Sequence, residues 1–379
     1  MKIAYHSGIL EDVQTGPHIF ITQLLRHLVP MRPRDEFVSV VASSRSHAQH
    51  AASVHRIHAR IRAKTIPIPQ SVLHRAHTNL RFPPMRNLIG DYDIYHQMWA
   101  STDPAVPSRK LIVSMYDTVA LHWPQEEGAL FPQVKRLLGR AAAVMTLSEY
   151  SKSQIVQEFG VAAERVHVTY AGCEARYNNE YSNQQIEATL RAQNIATPYF
   201  FYIGGHSPRK NLLRLVKAFA QAKRDANLPH KLVMAGTLKN ARDDIKAAVE
   251  SAGDAIQILG YVPDEIVPHL YRGATALTFP SLFEGFGLPV VEAMACGTPV
   301  ITSNVTSLPE VAGDAALMVN PTEESDIARA IVEIANEDDA SRQARIARGL
   351  KQSQQFSWHK CAQAHSDVYD EVAGVRNAL

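Results

Sequence analysis

A chain of 379 residues exceeds the size at which one hydrophobic core usually suffices, so two domains are expected. The formal net charge of +2 speaks against a general nucleic-acid binder, and no apolar run reaches the roughly 18 residues needed to cross a bilayer. Cys173, Cys296 and Cys361 are far apart and odd in number, which excludes a disulfide framework and a cysteine-rich metal site, and Glu11 and Asp12 cut short any apolar leader, so a reducing cytoplasm is expected.

The chain opens with a strand at Ile3–Tyr5, passes Gly8 and Thr15-Gly16-Pro17, and enters an amphipathic helix carrying Ile19, Phe20, Leu24, Leu25 and Leu28. Strands follow at Phe37–Val41, Ile94–His96, Leu111–Ser114, Ala143–Leu147 and Val166–Thr169, with helical patterns between them. Phe37 to Gly90 contains no Asp or Glu but has Arg45, Arg56, Arg60, Arg62, Lys64, Arg75, Arg81, Arg86 and six histidines. Such a segment is either a solvated basic face or a surface for anionic lipid headgroups, since each basic residue near such a surface contributes roughly 1 kcal/mol. Gly172 to Pro198, with Asn178-Asn179, is the most linker-like stretch and holds one short helical pattern.

The second half repeats the opening. Strand Tyr199–Ile203 leads to Gly204-Gly205, then His206-Ser-Pro-Arg209-Lys210-Asn211 and a helix with Leu212, Leu215, Val216 and Phe219 at helical spacing. Further strands are expected at Leu232–Ala235, Ile256–Leu259, Ala276–Phe279 and Val300–Thr302, and an amphipathic helix follows Phe356-Ser357-Trp358. The fold class is therefore α/β with two doubly wound parallel sheets covered by helices, whose ligands sit at the carboxyl ends of strands. The boundaries follow: a first Rossmann-like domain over 1–175, a linker over 176–197, and a second domain over 198–357, with residues 358–379 packing back on the first.

The stretch Phe279-Pro-Ser-Leu-Phe-Glu284-Gly-Phe-Gly-Leu-Pro289-Val-Val-Glu292 sets two carboxylates around a glycine turn between a buried strand and a helix. The backbone N–H groups at such a helix start, with the positive end of its dipole, favour a phosphate. On one straight helix eight positions would separate the carboxylates by about 12 Å, but a reversal at Gly285 to Gly287 lets both face one ligand. Arg209 and Lys210 are two adjacent cations at a helix start, where the dipole is already positive, so they call for an anion.

This stretch resembles the Glu-x7-Glu signature of glycosyltransferase family 4, the retaining sugar-nucleotide enzymes with the GT-B fold. Gly204 to Asn211, Gly260-Tyr-Val262, Ser307-Leu-Pro-Glu310-Val and Phe356-Ser-Trp358 agree with it in order and spacing, and Gly16, Asp117 and Ser148 match more weakly. The resemblance implies two Rossmann-like domains facing across a cleft, the second holding the donor. It implies that Glu284 grips the donor sugar and Glu292 the ribose. Gly204, Gly205, Val262, Gly285, Phe286, Gly287 and Leu288 would then lie against the donor, with Arg209 and Lys210 neutralising its diphosphate. On the acceptor side it implies Gly16, Asp117 and, where relatives have a histidine before the aspartate, Tyr116 or the nearby His122.

No metal and no redox cofactor is implied; Asp91-Tyr-Asp93 precedes a strand and reads as a turn. The expected partners are a nucleotide-sugar and a glycan or lipid-diphosphate-linked acceptor, with peripheral contact to an anionic membrane through residues 45–86 and no nucleic acid. Pro208-Arg-Lys-Asn211 resembles branches rich in bacterial polysaccharide and lipopolysaccharide mannosyltransferases, which makes GDP-mannose the first expectation and a UDP-hexose the second. The alternatives are a nucleotide-sugar epimerase or phosphorylase on the same plan, of which an epimerase would change the donor alone, and a non-catalytic binding module, which would have no use for Glu284.

Overall fold

The computed structural model describes residues 1–6, 16–42, 47–100, 102–123 and 131–375, with only the backbone of Phe131. Two units divide the chain: Met1–Gly172 with Trp358–Leu379, and Cys173–Ser357.

The first unit is built on a seven-stranded sheet in the order β3-β2-β1-β4-β5-β6-β7, all pairs parallel. The strands are β1 (Lys2–His6), β2 (Glu36–Ala42), β3 (Ile61–Ile66), β4 (Ile94–Gln97), β5 (Leu111–Ser114), β6 (Ala143–Thr146) and β7 (Val166–Val168). Strands β4, β5 and β6 are buried along their whole length, as expected where helices cover both faces of a parallel sheet. Helix Gly16–Met31 buries Phe20, Ile21, Leu24, Leu25 and Leu28, and helix Trp358–Val372 packs against it. Arg32 fastens the two by bonds to Ser366 Oγ at 2.6 Å and Asp370 Oδ1 at 2.7 Å. Between the sheet and the last helix, buried His96 joins Tyr369 Oη at 2.7 Å to Ser114 Oγ at 2.8 Å.

The second unit has a six-stranded parallel sheet in the order β10-β9-β8-β11-β12-β13. Its strands are β8 (Tyr199–Ile203), β9 (Lys231–Ala235), β10 (Ile256–Gly260), β11 (Ala276–Phe279), β12 (Val300–Ser303) and β13 (Leu317–Val319). Sequence order reverses between β8 and β11, and crevices at such reversals are where open parallel sheets hold ligands.

Three features differ from the expectations. The edge strands β3 and β13 have no counterpart in them. Residues 176–197 also do more than connect, for they lie inside the second unit and contain helix Asn183–Ala192. That helix is capped reciprocally by Ser182 and Gln185, buries Ile186 and Leu190, and packs on helix Val267–Gly273.

The acid-free segment supplies β3 and the helices His47–Ile57, Gln70–Leu80 and Met85–Ile89. Part of its charge is structural. Arg60 donates to the carbonyls of Val29, Arg32, Pro33 and Asp35, closing the end of helix Gly16–Met31, while Arg62 pairs with Glu36 and Arg81 with Asp103. Arg45 lies outside the described residues, and Arg56, Lys64, Arg75 and Arg86 are exposed.

Candidate donor site in the second unit

Strands β8 and β11 are hydrogen-bonded neighbours, with Phe200 beside Ala276 and Phe201 beside Leu277, so the loops at their carboxyl ends emerge together. The first loop runs through Gly204 and Gly205 to a 3-10 turn at Pro208–Lys210; the second covers residues 280–287 and enters helix Leu288–Ala295. The Leu282 amide donates to the Arg209 carbonyl at 2.7 Å, binding loop to loop. Asn211, buried and in the left-handed region at φ 61°, donates from Nδ2 to the carbonyls of Pro280 at 2.9 Å and Pro321 at 2.6 Å. A short amide in that conformation costs less than a bulkier side chain would.

This frame brings together three groups that are far apart in sequence. Arg209 Nη1 lies 3.1 Å from Glu284 Oε2 and Lys210 Nζ lies 2.7 Å from Oε1, with the carboxylate only 6 % exposed. Burial pushes the Glu284 carboxyl up, but Lys210 and then Arg209 outweigh it and hold the group below its ordinary range. Within this trio one carboxylate faces two cations. Lys210 Nζ also sits 5.0 Å from the centre of the Phe279 ring.

The backbone around Glu284 is held from below. Its amide donates to Thr306 Oγ1 at 3.3 Å, and Ser307 Oγ lies 2.9 Å from the carbonyls of both Glu284 and Phe286. Gly287 takes φ 111°, and a Cβ there would come within 2.8 Å of Leu308 Cδ2, so the turn ahead of Leu288 requires glycine. Phe286 is buried edge-on against Phe356 with ring centres 5.3 Å apart. In the facing loop, Gly204 donates its amide to the Ala235 carbonyl, and a Cβ on Gly236 would fall 2.2 Å from the Gly204 oxygen. Tyr202 Oη donates to the Gly205 carbonyl at 2.8 Å.

Glu292 lies on helix Leu288–Ala295 in different surroundings. Its Oε2 accepts a hydrogen bond from Tyr271 Oη at 2.9 Å. Burial pushes the Glu292 carboxyl up to about 7, against the lowering effect of the Tyr271 bond; Glu174 raises it further, Arg176 opposes, and Asp264 adds to the rise. Arg176 itself is engaged by Glu174 at 2.7 Å and Asp264 at 3.5 Å. Val262, which follows β10, is buried. The two carboxylates of the signature are thus distinct chemically, one held ionised by cations and one poised near neutrality by burial.

In the first unit, Tyr116, Asp117 and His122 follow the carboxyl end of β5, and Gly16 begins the helix after β1. Tyr116 is buried, its ring 4.7 Å from Phe20 and 5.5 Å from Trp99, and burial raises its phenol well above the usual range. Asp117 Oδ1 accepts the Val119 amide at 3.1 Å, a turn-starting bond at helix Val119–His122. His122 is exposed and edge-on to Trp123. Of the pair considered for the histidine position, Tyr116 is a core side chain and His122 is the one that reaches the surface.

Sequence reasoning did not single out Thr306, Ser307 or Tyr271 and gave Asn211 no role of its own. Ser307 carried a signal, since it begins the Ser-Leu-Pro-Glu stretch, but its hydrogen bonds to carbonyls over twenty residues earlier are visible only in the folded chain. Among the described residues, no three His, Cys, Asp or Glu side chains gather as a metal site.

Residues 186–352 match the family of glycosyl transferases group 1. This segment belongs to that family. Over 235 residues the chain is 37% identical to the O-antigen chain mannosyltransferase B of Escherichia coli, covering 61% of this chain and 61% of that protein. The serotype-specific mannosyltransferase WbdA of Escherichia coli is 31% identical over 228 residues, 59% of this chain and 28% of that protein. The chain thus spans under two thirds of the length of these relatives. Among solved structures, Anabaena Alr3699/HepE, crystallised with UDP and glucose, superposes with a TM-score of 0.74 at 18% identity, covering 98% of this chain and 100% of that one. WaaG, a glycosyltransferase involved in lipopolysaccharide biosynthesis, gives 0.69 at 14% identity, covering 98% and 99%. The group 1 segment therefore sits in a chain with the GT-B plan of two Rossmann-like domains, and the chain resembles bacterial mannosyltransferases.

Proposed function

We propose that the protein is a retaining hexosyltransferase of glycosyltransferase family 4 type, moving mannose from GDP-mannose to a glycan or lipid-diphosphate-linked glycan in cell-envelope or exopolysaccharide synthesis. The observation that carries this reading is Glu284 between Arg209 and Lys210, beside the start of helix Leu288–Ala295. Breaking the bond between the anomeric carbon and the diphosphate oxygen puts negative charge on the leaving group and positive charge on the sugar ring. Fixed donors and cations at the diphosphate lower that barrier, and a carboxylate beside the sugar holds its hydroxyls. The acceptor oxygen bonds to the anomeric carbon on the face the diphosphate leaves, and its proton passes to the departing phosphate oxygen, so configuration is retained without an enzyme base or a metal. The choice of mannose rests on the similarity to O-antigen chain mannosyltransferase B and WbdA.

Thermal denaturation with GDP, UDP, ADP and their hexose conjugates tests the donor. A nucleotide at a hundred times its Kd stabilises the fold by about 2.7 kcal/mol, and GDP and GDP-mannose should give the largest rise. A rise with UDP alone transfers the reading to a UDP-hexose donor, and no rise with any nucleotide removes it. If the donor is consumed equally with and without acceptor, the protein is an epimerase or hydrolase instead.

The same proposal includes peripheral docking on the inner face of a membrane. No helix among the described residues is long and apolar enough to cross one. Helix Gln70–Leu80 buries Leu73 and His77 but leaves Val72 56% and Leu80 74% exposed, with Phe82 at 62% just beyond. Arg75 and Arg86 accompany these apolar side chains and suit anionic headgroups. Vesicles containing phosphatidylglycerol should co-sediment the protein at low salt and release it at high salt. An Arg75→Glu/Arg86→Glu variant should stay in the supernatant, and a wild-type protein that ignores such vesicles at low salt ends this part of the proposal.

A further inference from the structure

Glu292 has one hydrogen-bond donor that is itself immobile. Tyr271 is fully buried on helix Val267–Gly273. Its ring meets Phe201 edge-on at 5.3 Å and Tyr177 at 6.0 Å, and its carbonyl accepts from Thr298 Oγ1 at 2.7 Å and from the Ala274 amide at 3.0 Å. Backbone and ring are both fixed, which holds the phenol oxygen 2.9 Å from Glu292 Oε2, to which it donates. A phenol has one hydrogen to give. Spending it on Oε2 leaves Oε1 and the remaining lone pair of Oε2 to accept from a ligand.

We propose that Tyr271 is a positioning residue for nucleotide binding, fixing the Glu292 carboxylate so that it accepts both hydroxyls of the ribose 2′,3′-diol. The inference rests on the reading that Glu292 holds the ribose. A cis-diol presents two donors side by side, and a carboxylate with one oxygen anchored matches it without losing freedom on binding. The groups facing Glu292 are Glu174, Asp264, Arg176, Tyr177, Cys173 and Cys296. Arg176 is the one cation of that set and is shared between Glu174 and Asp264, which leaves the Tyr271 hydroxyl as the group bonded directly to Glu292. Burial keeps the Tyr271 phenol protonated over the whole working range, so it stays a donor.

The experiment is calorimetric binding of GDP and of UDP, each against its 2′,3′-dideoxy form, to the wild-type protein and to Tyr271→Phe. The wild type should bind the diol form at least tenfold more tightly. Tyr271→Phe should lower that ratio at least threefold while leaving the dideoxy Kd within twofold. The pH profile supplies a second readout. Binding of the diol form needs ionised Glu292 and rises through neutrality in the wild type; without the hydroxyl that favours the anion, the midpoint moves to higher pH, and the dideoxy profile does not move. In the double variant with Glu292→Gln, loss of the hydroxyl should lower the ratio no further than Glu292→Gln alone.

A wild type that does not distinguish diol from dideoxy nucleotide overturns the ribose reading of Glu292 and this inference with it. A wild type that does distinguish them, with the ratio unchanged in Tyr271→Phe or with both forms weakened equally, overturns the role of Tyr271 alone. Where Tyr271→Phe fails to fold, Tyr271→Met, which also removes the donor to Glu292, is read by the same ratio and the same pH midpoint, with the same outcomes deciding.

Discussion

Lys210→Ala should lower turnover at least a hundredfold, about 2.7 kcal/mol or more of barrier. Lys210 Nζ is held between Glu284 Oε1 and the Phe279 ring, largely out of water, where a charge acts more strongly than at a surface. Removing it leaves Arg209 alone against Glu284, so the two cancel and no net positive charge remains for the leaving diphosphate. Steady-state transfer assays at saturating donor read the effect. The decrease belongs in kcat more than in KM, because negative charge on the phosphate grows as the bond breaks. A variant within threefold of wild type would show that the charge is not used.

Glu284→Ala should cost more turnover, on the order of a thousandfold or roughly 4 kcal/mol, and should separate binding from chemistry. Without the carboxylate the sugar hydroxyls lose their acceptor. Arg209 and Lys210 lose the carboxylate that faces them both in a largely enclosed place, so the ligand-free protein should lose about 3 kcal/mol of stability. An anion can replace the missing charge, so pyrophosphate or GDP should restore much of that loss in the variant and add less to the wild type. The pH dependence has a definite sign. Glu284 has its carboxyl lowered from 4.5 in the folded state, so its contribution is full above that value and disappears as pH falls through the folded value. Wild type and variant should therefore converge in acid. Turnover within tenfold of wild type, or a stability deficit that pyrophosphate leaves untouched, would remove Glu284 from the site.

Much of the fold was readable because buried parallel strands are short apolar runs between turn residues, as in Tyr199–Ile203 between Pro198 and Gly204 and Ala276–Phe279 between Gly273 and Pro280. The edge strands β3 and β13 were not. In β3 the sequence Ile-Arg-Ala-Lys-Thr-Ile buries only its ends, Ile61 and Ile66, and turns Arg62 and Lys64 to solvent. Charged edges of that kind discourage pairing with another chain and read as a polar loop. β13 has three residues, too few for any periodicity. In the site, the chemical nature of each member was legible, but the contact among Arg209, Lys210 and Glu284 was not. It spans 74 and 75 residues and depends on β8 lying beside β11, a pairing that hydropathy does not encode. The difference between Glu284 and Glu292 was legible only as a difference in position. Their opposite displacements from the usual carboxylate range come from a cation pair on one side and an enclosed, hydrogen-bonded place on the other.

The second unit is one continuous piece of chain, whereas the first is completed by Trp358–Leu379. On a ribosome the second unit therefore has its whole chain out before the first does. Residues 173–357 can finish folding as they emerge, while helix Gly16–Met31 waits for the partner that covers Phe20 with Trp358 and holds Arg32 through Asp370. Until then the nascent first unit keeps an apolar helix face open, and a messenger truncated after codon 357 would yield a finished second unit joined to a first that can never close.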